Sequence, residues 1–305
     1  MPTKILRTTS NTRPISPATG EMYFETDTKN FIIWDGANWI GYQNDGVSIP
    51  ELSNSFSAEF DANNTDYLNA GQISTLAGAT AQTVAFWFKA ASAGIFPAWG
   101  FRVASNNQFD GRQYVNEYWI DVRNGTLGDV SDEFSYIIAG ADMPNDINWH
   151  HFAITFDAGT VAFYIDGENV PGAPLSGKIA PASLNSTIGN FAISKLGDIT
   201  NVYSSGSFDE FGMWDAALNS SNIEQLYNLG KPFDLSSDVG NYNKSTDLKQ
   251  WWRMGDSLGD TSSGGGAVAT GNTIGTVVNK VTSGTNDALV GGGAPTYNSS
   301  TPTNP

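Results

Sequence analysis

The sequence predicts an all-β protein: a sandwich of short strands preceded by a small N-terminal β-hairpin arm. Three observations carry that expectation. Short aromatic and β-branched runs recur along the chain with turn residues between them. Aromatic residues make up 12% of the chain and charged residues 15%, so a large core must be wrapped in a mostly neutral polar surface of Asn, Ser, Thr and Gly. Helical periodicity occurs in one segment, 220–229, where apolar residues fall at Ile223, Leu226, Tyr227 and Leu229 before Gly230 and Pro232 end the run.

Residues 1–45 read as an arm and anchor. Met22-Tyr23-Phe24 and Phe31-Ile32-Ile33-Trp34 flank a polar turn, and Trp39-Ile40-Gly41-Tyr42 adds a third strand. So few strands bury little on their own, and Tyr23, Phe24, Phe31, Trp34 and Trp39 are the expected contacts to other proteins or to copies of the same chain. Residues 56–235 form the sandwich, with strands expected at 56–60, 66–69, 83–89, 98–104, 116–123, 134–139, 150–156, 161–166, 187–194 and 208–214. Residues 236–305 read as a Gly/Ser/Thr-rich extension in which a strand at 248–254 could complete the sandwich.

Charge and composition exclude several classes. Fifteen Lys and Arg against thirty-one Asp and Glu give a net charge of −16, which repels phosphate backbones and argues against nucleic acid. Without cysteine there is neither a disulfide nor a thiolate zinc site. No run approaches the roughly 20 apolar residues of a membrane helix, so no membrane insertion is expected. The first ten residues hold no apolar stretch of signal-peptide length, so an extracellular role implies release by lysis or within a particle.

The central hairpin is legible residue by residue. Phe152, Ile154 and Phe156 alternate on one strand, Val161, Phe163 and Ile165 on the next, with Asp157-Ala158-Gly159 between them. Trp149-His150-His151-Phe152 leading to Tyr164-Ile165-Asp166-Gly167 resembles the signature hairpin of laminin-G-like and pentraxin-like domains. Phe208-Asp209-Glu210-Phe211-Gly212-Met213-Trp214 with Ala217-Leu218 and Ile223 is similar to the closing strand and helix of that family. Ala58-Glu59-Phe60-Asp61 and Thr83-Val84-Ala85-Phe86-Trp87-Phe88 resemble its opening strands. The resemblance implies a concanavalin A-like, laminin-G-like β-sandwich jelly roll. Residues 20–40 and Trp251-Trp252-Arg253-Met254-Gly255-Asp256 resemble segments of bacteriophage virion-surface proteins. Together they imply a phage virion structural protein, a fibre, tail or head-decoration component on the particle surface, which displays the sandwich to host glycans or neighbouring subunits. The alternatives are a secreted bacterial carbohydrate-binding module and, with less support, a glucanase.

Candidate site residues follow from chemistry. A glycan platform needs exposed aromatics with polar groups at the rim, and Trp99, Tyr114, Tyr118 and Trp119 near Asn106, Asn107, Arg112 and Asn116 are the best such group. Retaining glucanases need two carboxylates about 5–5.5 Å apart. Glu117 and Asp121 share a strand face, but Trp119 stands between them where a third carboxylate would be needed, so no catalytic residue is assigned. His150 and His151, adjacent on a strand, point to opposite faces and cannot share a metal. No cofactor is implied by a motif. Ca²⁺ is the one ion that the turn acids Asp61, Asp66, Asp110, Asp129 and Asp132 would suit, although Asp is also an ordinary turn residue.

Overall fold

The computed structural model describes residues 6–8, 13–14, 17–25, 31–34, 36–42, 52–103, 107–125, 133–175, 177–197, 201–282 and 285–302. Near the N-terminus, β1 (Leu6–Thr8) runs parallel to β2 (Met22–Glu25), which pairs antiparallel with β3 (Phe31–Trp34) and then β4 (Trp39–Tyr42). Pleating places Tyr23, Ile32, Trp34 and Trp39 on one face. There Ile32 is 1% exposed, and the Trp39 ring meets Tyr23 at 5.3 Å and Trp34 at 5.4 Å. Phe24 and Phe31 belong to the other face and contact each other at 5.1 Å.

The remaining strands build two stacked sheets. In chain order they are β5 (Ser57–Phe60), β6 (Tyr67–Asn69), β7 (Ala81–Ala90), β8 (Trp99–Val103), β9 (Asn107–Tyr114) and β10 (Glu117–Asn124). Then come β11 (Glu133–Ala139), β12 (Trp149–Asp157), β13 (Thr160–Ile165), β14 (Glu168–Val170), β15 (Ala173–Pro174), β16 (Ala192–Ile193) and β17 (Gly206–Trp214). After helix α1 (Ser220–Tyr227) follow β18 (Leu248–Trp252), β19 (Thr261–Ser262), β20 (Ile274–Val277), β21 (Ala288–Gly292) and β22 (Thr296–Asn298). One sheet of ten strands has the order β15-β11-β10-β9-β8-β16-β6-β21-β20-β19. The other, of eight, runs β14-β13-β12-β7-β17-β5-β22, with β18 pairing to β17.

The central hairpin closes as its alternation requires. Phe152 faces Ile165, Ile154 faces Phe163, and Phe156 faces Val161. The connecting turn is the two residues Ala158 and Gly159, both at positive φ, one residue tighter than the sequence suggests. Between the sheets lies an aromatic core, in which Phe86 stacks on Phe211 at 4.8 Å and on Phe152 at 5.7 Å. A second core lies on the far side of the eight-stranded sheet, where Ile223 and Leu226 of α1 pack with Trp214, Phe233, Tyr242 and Trp251. Asn219 caps α1 by accepting from the Asn222 backbone N–H at 2.9 Å, and Asn228 and Leu229 at positive φ end the helix before Gly230.

Residues beyond 235 enter both sheets. The adjacent tryptophans of β18 divide between the cores, Trp252 inward and Trp251 outward. A β-bulge in β17 turns Glu210 to positive φ, and its carboxylate accepts from Trp251 Nε1 at 2.6 Å and Arg253 Nε at 3.0 Å. The glycine run at 291–293 is structural: a side chain at Gly291 would overlap the Tyr67 ring. Two expectations need correction. The strand expected over 187–194 shrinks to Ala192–Ile193, because Asn185 turns the chain by accepting from the Thr187 N–H. Strand β9, unforeseen, has few inward apolar residues to announce it: Phe109 fills the core, and Gly111 leaves room for Trp99 and Tyr118.

Candidate functional site

β9 and β10 form a hairpin through Val115 and Asn116, with Asp110 opposite Asp121 and Arg112 opposite Trp119. Alternation divides their side chains. Phe109, Tyr118, Ile120 and Val122 point into the core, which leaves Asp110, Arg112, Tyr114, Glu117, Trp119 and Asp121 on the outer face of the ten-stranded sheet. Arg102 of β8 and Ser135 of β11 complete the surface.

The charged part of this face is a closed network. Arg102 donates to both Asp110 oxygens at 3.1 and 3.2 Å and to Asp121 Oδ2 at 3.1 Å. Arg112 Nε donates to the same Asp121 oxygen at 2.9 Å, and Ser135 Oγ donates to Asp121 Oδ1 at 2.5 Å. Asp110 is fully buried. Burial pushes its carboxyl up to about 7, against the pull of Arg102, with the charge of Asp121 adding to the rise. Two guanidinium planes thus lock the carboxylates in place and hold Arg112 rigid.

That rigidity is passed to an aromatic pair. The Tyr114 and Trp119 rings meet at 4.7 Å and 52°, and the Arg112 guanidinium lies 5.1 and 5.3 Å from their centroids. Trp119 Nε1 donates to Glu117 Oε2 at 2.8 Å, which fixes the indole further. Tyr114 is 49% exposed. A pre-ordered aromatic surface with flanking polar groups binds the apolar faces of flat, hydroxylated ligands without losing side-chain freedom.

The chain belongs to the concanavalin A-like lectin/glucanases superfamily. The family model matches residues 61–224, from the first turn after β5 into α1. Among solved structures, the chain is similar to a heptameric SAP-like pentraxin from Limulus polyphemus, at 13% identity over 57% of this chain and 82% of that one (TM-score 0.41). A provisional carbohydrate binding protein from Bacteroides ovatus matches at 15% identity over 94% and 71% of the two chains (TM-score 0.46). NanB sialidase from Streptococcus pneumoniae matches at 16% identity, where 58% of this chain covers 28% of the sialidase (TM-score 0.42). No curated protein sequence matches the chain.

Of the residues singled out for glycan contact, the fold brings Arg112, Tyr114 and Trp119 together. Trp99 and Tyr118 are corrected: both are fully buried, bonded to each other between indole N–H and phenol oxygen at 2.9 Å, so neither can reach a ligand. Asn107 is likewise buried, and its amide donates to the Thr187 carbonyl. Asn116 stands exposed at the hairpin tip, and Asn106 lies outside the described residues.

The acidic residues divide similarly. Asp61 caps a turn by accepting from Asn63 N, Asp66 accepts from the N–H groups of Asp61 and Ala294, and Asp110 is held by Arg102. Both Asp110 oxygens are taken by the Arg102 guanidinium, whose charge repels a cation, so Asp110 is corrected as a Ca²⁺ candidate. Asp129 and Asp132 lie outside the described residues, and among those described no group of acidic or histidine side chains could hold a metal ion. Arg102 and Ser135 had no signal of their own. The alternating Asp110-x-Arg112-x-Tyr114 and Glu117-x-Trp119-x-Asp121 about a two-residue turn is the pattern that would have found the face.

The two histidines point to opposite faces. His150 Nδ1 pairs with Asp166 at 2.7 Å and its Nε2 with Asp146 at 3.1 Å. His151 is buried on the far side of the sheet against Trp87 and Tyr227, at 5.2 and 6.5 Å.

Proposed function

We propose that the outer face of the ten-stranded sheet binds glycans through Tyr114 and Trp119, without turning them over. The carrying observation is the aromatic pair of exposed Tyr114 and half-buried Trp119 fixed by Arg112, itself fixed by Asp121. The binding reading without catalysis is supported by the state of the carboxylates. Glu117 accepts from Trp119, and Asp121 is shared by two arginines and a serine, so neither is free as nucleophile or acid. The test is a glycan array with the full chain, followed by titration of the best ligand. Trp119→Ala is expected to weaken binding about five- to 150-fold, about 1–3 kcal/mol for an aromatic stacking platform. Unchanged affinity in that variant sinks the assignment, and reducing sugar released by the wild-type chain and lost in Glu117→Gln overturns the binding-only reading.

We also propose that the sandwich is displayed on a bacteriophage particle, with residues 1–45 as attachment and self-association element. Support comes from the N-terminal sheet, where Met22, Phe24, Phe31, Ile33 and Ile40 share one face and Met22 is 36% exposed. The phage-like segments at 20–40 and 251–256 point the same way. Mass spectrometry of purified virions is expected to detect the chain. Deletion of residues 1–45 should remove it from particles and lower its oligomeric state. A monomer that is dispensable for particles, found instead in bacterial culture supernatant, favours a secreted carbohydrate-binding module.

A further inference from the structure

A cleft of about 340 Å³ opens between the β9–β10 turn, whose Gln113 and Asn116 flank Tyr114 in the chain, and the loop after β11. This is the small end of the ligand-pocket range, about 300–1,000 Å³, a size for one sugar residue rather than a chain. Phe96 and Met143, 6% and 4% exposed, give it apolar walls, with Gly94, Gly140 and Ala141 adding little bulk. Gln113 also lines it, but its amide is already spent: Nε2 donates to the Gly94 and Val115 carbonyls, and Oε1 accepts from Phe96 N–H. The side chains of Asn116 and Asn145, both exposed, stand at the cleft with no hydrogen bond to other described residues.

Both walls are held in place. Val115, at the turn tip, sits at φ +55° and is 72% exposed, a backbone conformation that a β-branched residue adopts only under constraint. On the opposite wall, Asp146 pairs with His150 and accepts from Asn148 N–H at 2.8 Å, which pins the loop carrying Met143 and Asn145. The cleft is therefore preformed.

We infer that this cleft receives the N-acetyl group of an amino sugar whose ring lies toward Tyr114. The inference rests on the glycan reading above and narrows it to a ligand class. The chemistry is complementary on each side. The acetamido methyl meets Phe96 and Met143, where a hydroxyl would be stripped of water with Gln113 already engaged. The acetamido N–H and carbonyl match the carboxamides of Asn116 and Asn145, each of which offers both a donor and an acceptor. A sugar with a plain hydroxyl at that carbon can still reach a carboxamide but leaves the apolar walls without a partner.

The test is calorimetric titration of the full chain with matched oligosaccharides that differ only in acetamido against hydroxyl, such as chitotriose peracetylated on nitrogen against cellotriose, with a galacto-configured pair beside them. The N-acetylated member of one pair is expected to bind at least tenfold tighter. Asn145→Ala, and separately Ala141→Leu, which fills the cleft from an exposed position, should each reduce that preference to about twofold or less. Equal binding of both members, or a preference that survives both substitutions, overturns the inference. The two failures separate cleanly. Trp119-sensitive binding with no acetamido preference leaves the glycan reading standing, no binding by any member of either pair overturns the inference alone, and silence of the whole array removes both.

Discussion

His151 makes the fold acid-sensitive in a way that one substitution isolates. Its ring lies 3% exposed between Trp87 and Tyr227, and among the described residues its Nδ1 has no hydrogen-bond partner. Burial therefore drives the imidazole down to about 4, with the charge of Asp166 opposing only in part. A free histidine titrates near 6.5, so between pH 6.5 and 4 the unfolded chain binds the proton that the folded chain refuses. Stability from this group is complete above pH 6.5 and is lost as pH falls toward 4. Between pH 7.5 and pH 5 the loss comes to about 2 kcal/mol. The wild type alone does not isolate it, because Asp110 and Glu210, both pushed up to about 7 by burial, gain stability as pH falls through the same range. The comparison is with His151→Phe, which keeps an aromatic ring against Trp87 and removes the titrating nitrogen. Urea unfolding of both proteins at pH 7.5 and pH 5.0 should show the variant gaining about 2 kcal/mol relative to wild type at the lower pH. Parallel pH dependence in the two proteins refutes the reasoning, as does an NMR titration that places the His151 ring near 6.5.

Other predictions address the joints of the fold. Arg253→Ala removes the donors to Glu210, Asp256 and Ser53 from this joint, and the Glu210 carboxyl, already pushed up to about 7, goes neutral beside Trp251; a cost of about 1–3 kcal/mol and a melting point lower by roughly 2–6 °C are expected by calorimetry. A drop of less than a degree would mean that the pair holds nothing together. Val115→Gly relieves the left-handed turn residue of about 1–2 kcal/mol, against about 0.4–1 kcal/mol of added unfolded-state freedom. A net gain of about 0.5–1 kcal/mol is expected in denaturant unfolding, and destabilisation would contradict the strain.

Much of the fold is determined locally and is therefore legible in the sequence. The alternation of Phe152, Ile154 and Phe156 against Val161, Phe163 and Ile165 admits one register, because a one-residue slip would turn every aromatic out of the core. The helix at Ser220–Tyr227 announces itself through its apolar stripe and the Gly230 and Pro232 that follow it, for the same local reason. The functional face is different. Asp110 and Arg112 stand on β9, whose outward residues are polar and whose inward residues are few, so periodicity passes over it. Trp99 and Tyr118 are the same residue types as exposed Tyr114 and half-buried Trp119, yet strand parity sends the first two inward and the second two outward. The pairing of β9 with β10 brings Asp110 opposite Asp121, and β8 supplies Arg102 to both. Hydrophobic alternation is a property of one strand and survives in a string of letters. The chemistry of this surface is a property of three neighbouring strands in register, and only the assembled sheet creates it.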